Sequence, residues 1–178
     1  MLDLQFFAYL LVFIIPAYVA NSSPVVLGGV APIDGGASFI DGKRIFGEGK
    51  TWFGLFGGLF CGILSSIVLA HILPGTDFDL FGGRADYYLL SGIALSLGAL
   101  AGDLLGSFIK RRVGARWGES TFLDQLAFLV LALAFCYPLG LTIVFRPASI
   151  AFLILITYFI HRIANSAAHY YGLKKVPW

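Results

Sequence analysis

Long apolar stretches separated by short polar ones set the pattern of this chain. A helix needs about 20 mostly apolar residues to cross the hydrocarbon core of a bilayer. Five segments approach or exceed that length: 4–20, 52–73, 87–109, 122–145 and 149–168. Pro16 lies inside the first and allows a kink there. The pattern predicts an all-α integral membrane protein, with one transmembrane domain over residues 1–178. Two longer polar connections are predicted as loops, at 21–51 and 110–121. The other links are 74–86 and a tight turn at Arg146-Pro147. There is no internal repeat and no low-complexity tract.

Composition agrees with lipid as the main solvent. The chain is 58% hydrophobic and 12% charged, where soluble domains average about 45–50% and about 25%. A net charge of +2 gives no reason to expect a nucleic-acid partner. The first segment lacks a basic start and carries Asp3, so it reads as a span rather than a cleaved signal peptide. Cys61 and Cys136 both sit in apolar runs and read as small buried hydrophobes.

Charge distribution says more than its sum. With five spans, one side of the membrane receives Lys43, Arg44, Lys50, Lys110, Arg111, Arg112, Arg116, Arg162, Lys174 and Lys175. The other receives Arg84 and Arg146. Basic residues favour the cytoplasmic side. The expected arrangement in the cell membrane is therefore an outer N-terminus, an inner C-terminus, and both long loops in the cytoplasm.

The polar residues that this arrangement gathers form three groups. The first is Asp103, Ser107, Lys110 and Arg111, which share one helix face at i, i+4, i+7 and i+8. A carboxylate at the membrane edge needs a partner, a cavity or a metal. The two cations lie about 10 Å further out, a gradient suited to an anionic substrate with a divalent ion. On the plainer reading, Lys110, Arg111 and Arg112 only anchor the span. The second group is Asp124, at the start of the fourth span and across the short basic loop from Asp103. The two carboxylates and phosphate oxygens together would suit Mg²⁺. Alternatively, Asp124 caps its own helix. The third is Gly47-Glu48-Gly49-Lys50-Thr51, which looks like the end of a phosphate loop but has Arg44 where the first glycine belongs. Flexible amides, Lys50 and the amino end of the second span could still hold an anion. His161, Arg162, Asn165 and His169 give the last span a polar face, most simply read as hydrogen bonds between helices.

These motifs resemble a known family. The run Gly102-Asp103 through Ser107 and Lys110-Arg111, followed by Asp124-Gln125, is similar to the carboxy-terminal signature of CTP-dependent phosphatidate cytidylyltransferases. The loop with Asp41-Gly42-Lys43-Arg44, Gly47, Gly49-Lys50-Thr51-Trp52 and Gly54 resembles the narrower family of archaeal CDP-archaeol synthases. The family pattern has a further Asp where this chain has Ala127, so that carboxylate has no counterpart here.

The resemblance implies transfer of CMP from CTP to the phosphate of an isoprenoid ether lipid, digeranylgeranylglyceryl phosphate, with pyrophosphate leaving. It also implies Asp103 and Asp124 as Mg²⁺ ligands, with Lys110 and Arg111 beside them in catalysis. Asp41, Lys43, Arg44, Gly49, Lys50, Thr51 and Ser107 are then expected on the nucleotide side. A CDP-alcohol phosphotransferase or a small membrane transporter are the alternative readings.

Overall fold

The computed structural model describes residues 4–114 and 122–173, with the backbone alone for residues 122–125. The fold is helical: α1 Leu4–Ser22, α2 Pro24–Leu27, α3 Trp52–Ile72, α4 Ala85–Val113, α5 Phe122–Cys136 and α6 Pro147–Tyr170. Among the described residues, β-type pairing is limited to two isolated bridges, Pro32 with Thr51 and Ser38 with Arg44. Four stretches are long and apolar enough to cross a membrane: Leu4–Leu27, Trp52–Ile72, Ala85–Val113 and Pro147–Tyr170. The first helix continues through Pro16.

The fourth expected span is shorter than its apolar sequence. Pro138 has no amide hydrogen, and its ring collides with the carbonyl of a preceding helical turn. The α-helix accordingly ends at Cys136, and a 3-10 turn follows over Tyr137–Leu139. Gly140, at φ 70°, then stops helical growth. Residues 141–145 turn back on themselves, and Val144 is fully buried there against the bundle. The α5 helix with its terminal turn still rises about 28 Å, close to the roughly 30 Å apolar layer.

Small residues decide how the helices meet. The α4–α5 pairing is the most extensive in the molecule. A side chain on Gly98 would run into the backbone of Leu131 and Ala132, and one on Gly102 into that of Ala127 and Phe128. On the other side of α4, Gly62 of α3 abuts Ser96, and Gly92 abuts Ser66 of α3. Lipid offers little hydrophobic force between helices, so close van der Waals approach through such residues is what holds them. The serines at these contacts satisfy themselves within their own helices. Ser66 donates to the Gly62 carbonyl at 2.8 Å and Ser96 to the Gly92 carbonyl at 2.7 Å. Around this seam lies a core that includes Ile14, Leu95, Ala99, Phe128, Leu129 and Leu153.

The α6 helix is held differently. Its ties to α1 include polar pairs, Tyr18 with Thr157 at 2.7 Å and Asn21 with His161 at 3.3 Å. At the end of the bundle opposite the 28–51 loop, Asp79 gathers the connecting loop. It accepts from the amides of Gly75, Phe81 and Gly83 and from the Tyr88 hydroxyl. These bonds, the Gly75 amide foremost, hold its carboxyl below the ordinary range.

Candidate functional site

The connection from Gly28 to Thr51 folds into a compact loop built on one carboxylate. Asp34 has a side chain with no exposed surface. One of its oxygens accepts from Arg44 Nη2 at 2.6 Å and from the Gly36 amide at 3.2 Å. The other accepts from Arg44 Nε at 3.2 Å and from the amides of Phe46 and Gly47 at 3.0 and 2.9 Å. The Arg44 guanidinium, helped by these amides, holds the Asp34 carboxyl far below the usual carboxylate range. The sequence contains a local signal for this hub: Asp-Gly-Gly favours a turn in which the side chain bonds the amide two residues on.

A second set of contacts fastens the loop to the end of α4. Arg112 Nη2 donates to the carbonyls of Lys43 at 3.1 Å and Arg44 at 2.5 Å. Its Nε lies 2.8 Å from Asp41 Oδ2. The guanidinium rests over the rings of Phe108 and Phe39, 4.6 and 5.1 Å from their centroids. Lys43 Nζ returns a hydrogen bond to the Arg112 carbonyl at 2.8 Å. That carbonyl belongs to the last turn of α4, where cations complement the helix dipole. Asp41, Lys43 and Arg44, expected at the nucleotide, are thus engaged in loop architecture. Arg112, which sequence reasoning treated as an anchor, is the fastening point.

With the loop placed this way, Lys50 meets α4 at the expected carboxylate. Lys50 Nζ donates to Asp103 Oδ2 at 2.5 Å, and each side chain keeps about a quarter of its surface exposed (25% and 26%). The pair lines a small open cleft. Gly49, Lys50, Thr51 and Asp103 form its polar side, and Pro24, Ile33, Leu55, Leu100 and Leu104 its apolar side. Thr51 caps α3: its hydroxyl oxygen accepts from the amides of Gly54 at 3.1 Å and Gly29 at 3.2 Å. The Trp52 amide donates to the Ala31 carbonyl. Two amides that an anion at this helix end would use are therefore already bonded, which leaves Lys50 as the main local positive charge.

Further along α4, Ser107 is buried one turn beyond Asp103, and Lys110 and Arg111 are half-buried in the last turn. Arg111 faces the loop at Gly47, where a Cβ would lie 3.7 Å from Nε. That Nε is buried and has no hydrogen-bond acceptor among the described residues. An anion reaching it would satisfy a donor that the protein leaves open.

Asp124 belongs to the backbone of α5, but its side chain lies outside the described residues. So do Arg116, Lys174 and Lys175. No group of three or more His, Cys, Asp and Glu side chains able to hold a metal forms among the described residues. Mg²⁺ does not need one, because it is commonly held by one or two carboxylates together with substrate phosphates. Asp103 fits that donor class: a hard oxygen ligand, partly exposed and lining the cleft. Position 127, where the family pattern places another Asp, lies beside the same seam, since the Ala127 backbone rides against Gly102.

The whole chain, residues 1–178, matches the family model described as CarS-like, CDP-archaeol synthase. A CDP-archaeol synthase of Pyrococcus horikoshii is 48% identical over 173 residues, covering 93% of this chain and 94% of that protein. One from Methanococcus aeolicus is 46% identical over 176 residues, covering 94% of each. A solved structure described as an intramembrane enzyme for archaeal membrane lipids biosynthesis is similar with a TM-score of 0.73. It is 34% identical, and the match covers 87% of this chain and 91% of that one.

Proposed function

The chain belongs to the CDP-archaeol synthase family, a family of multi-pass membrane cytidylyltransferases, and from that premise we propose how its cleft carries out the reaction. The acceptor is an isoprenoid ether lipid phosphate, digeranylgeranylglyceryl phosphate. A phosphate monoester carries about −1.5 to −2 charge at pH 7, so it is already a nucleophile. An oxygen of the lipid phosphate attacks the α-phosphorus of CTP. A new P–O bond forms, the bond to the β-phosphate oxygen breaks, and pyrophosphate leaves with the electron pair. No general base is needed. The protein's tasks are positioning and charge neutralisation.

The observation that carries this reading is the Lys50–Asp103 pair in a cleft with one polar and one apolar side. Lys50 moves from Asp103 to a phosphate when substrate arrives. Arg111, with its open Nε, takes another phosphate oxygen beneath the loop at Gly47. Lys110 adds positive charge on the same helix face, and Ser107 supports that face one turn from Asp103. Asp103 would hold Mg²⁺ together with phosphate oxygens, and Asp124 is the second ligand in this reading. The ion, when bound, neutralises charge on the transferring and leaving groups. Asp41, Lys43 and Arg44 act through the loop they fold, and Gly49 and Thr51 shape the rim. The basic end of the bundle faces the cytoplasm, where CTP is found, which sets the N-terminus outside and the C-terminus inside.

The test is label transfer. Purified protein in detergent receives CTP labelled at the α-phosphate, Mg²⁺ and digeranylgeranylglyceryl phosphate. Label is expected in the lipid phase, with CTP preferred over other nucleotides and with loss on chelation of the metal. Intact protein that moves no label into that lipid would overturn the reading.

A further inference from the structure

The chain carries no Asp, Glu, Lys or Arg from Leu4 to Ile33, and then Asp34, Asp41, Lys43, Arg44, Glu48 and Lys50 crowd the next stretch. The change falls inside a single connection, between α1 and α3. We propose that α2 and the residues just after it, 24–30, form a foot immersed in the bilayer leaflet on the cleft's side. Its partner is the acyl chains of bulk membrane lipid, and Val26 and Val30 are its points of contact. The proposal rests on the membrane fold alone and not on the reaction.

The depth is set by α3. Its 21 residues, Trp52–Ile72, rise about 31 Å, which matches the roughly 30 Å apolar layer of a bilayer. Trp52 therefore marks the edge of that layer, a depth that suits its ring, and it stacks on Phe56 at 5.8 Å. The foot runs along this first part of α3. Gly57 abuts Leu27, Gly29 abuts the Phe53 ring, and the Ala31 carbonyl accepts from the Trp52 amide. Leu27 thus lies level with Gly57, about 7.5 Å inside the edge, and Val30 lies at the edge itself.

The surface agrees with the depth. Val26 is 67% exposed and Val30 97%. They continue the side of α3 on which Phe53, Phe56 and Phe60 are exposed. Bare aliphatic groups in such an array are unfavourable in water and at ease among acyl chains. The polar groups nearby are satisfied locally, as an apolar surrounding requires. Ser22 and Ser23 both donate to the Val19 carbonyl, and the Gly29 amide donates to the Thr51 hydroxyl oxygen. The foot also bears on the cleft. Pro24, at its start, and Ile33, just past its end, both line it, and Pro24 is wedged against Gly54 and Gly58 of α3. Seating the foot in the leaflet holds the mouth of the cleft at headgroup depth.

Val30 and Ile40 give the test an internal comparison. Ile40 is 93% exposed, on the hairpin closed by Ser38 and Arg44, with Asp41 and Lys43 close by. The two aliphatic side chains are equally bare in the protein, so they differ in what covers them in a bilayer. Hydroxyl-radical footprinting of the unmodified protein in phosphatidylcholine nanodiscs, read by mass spectrometry, should oxidise Ile40 at least roughly tenfold faster than Val30, because the apolar layer excludes water. Oxidation of Val30 as fast as Ile40 would overturn the proposal.

A second measurement separates lipid from protein as the cover. Nitroxide labels are placed at Val26→Cys and Val30→Cys in a Cys61→Ala background, with the buried Cys136 left in place. They should collide freely with oxygen, which concentrates among acyl chains, and poorly with a water-soluble nickel complex. Ready collision with the nickel complex would place the foot in water and overturn the proposal. So would labels shielded from both reagents, or coupled magnetically to those of a neighbouring copy, since protein and not lipid would then cover the surface.

Discussion

Removing the Asp34 carboxylate should open the loop over the cleft without unfolding the bundle. In Asp34→Ala, three backbone amides lose their acceptor, those of Gly36, Phe46 and Gly47. Each bond contributes about 1 kcal/mol net, and more where the donor stays buried, as Gly47 is. The Arg44 ion pair adds less, because its guanidinium is partly solvated. The loop should therefore open with a free energy lowered by about 3 kcal/mol, a change of more than roughly a hundredfold in its open population. Asp34→Asn keeps one acceptor oxygen and should fall between wild type and alanine. Hydrogen exchange measured by mass spectrometry reads this directly. Peptides covering residues 31–50 should lose about two orders of magnitude of protection in Asp34→Ala, while those from α4 stay as in wild type.

The pH dependence has a definite sign. The Asp34 carboxyl is held far below its ordinary value by Arg44 and the amides. Its contribution is therefore complete above the usual carboxylate pKa of about 4 and is lost as pH falls through the lower folded value. Wild-type loop protection should persist at pH 5 and decline only in stronger acid, and Asp34→Asn should show no such decline. Protection in Asp34→Ala within threefold of wild type would refute the reasoning.

Two further outcomes follow from the same contacts. Arg112→Lys keeps the charge but cannot bond two carbonyls, face Asp41 and lie flat between two rings. It should raise the KM for CTP about fivefold or more, with a smaller change in kcat, in steady-state assays. Gly98→Ala drives a methyl group into the α5 backbone at Leu131, which cannot rotate away. It should cost about 1–3 kcal/mol, seen as a fall in Tm of about 2 °C or more in detergent.

Much of this was legible in the sequence because lipid imposes strict rules. Runs of apolar residues marked α1, α3, α4 and α6 to within a few residues, since a buried backbone in lipid must be helical. Asp103 stood out because a carboxylate at a span's end is costly unless it is used, and the structure gives it Lys50. The end of α5 was less legible: hydropathy runs on past Pro138, and only backbone geometry stops the helix at Cys136. The roles within the loop were the least accessible. Asp41, Lys43, Arg44 and Lys50 look alike as charges in a glycine-rich stretch. Which of them the loop uses to hold itself together depends on Asp34 and Arg112, partners 10 and 68 residues away from Arg44. Composition and spacing carry no information about such pairings.

The account turns on Asp103 as the residue at which nucleotide and lipid phosphate meet. The measurement that tests it most directly is kcat for Asp103→Asn with labelled CTP and digeranylgeranylglyceryl phosphate, at millimolar Mg²⁺ and with folding checked by Tm. A loss of about a hundredfold or more in a folded variant is the predicted result. Wild-type turnover by that variant at the same Mg²⁺ concentration would contradict the account.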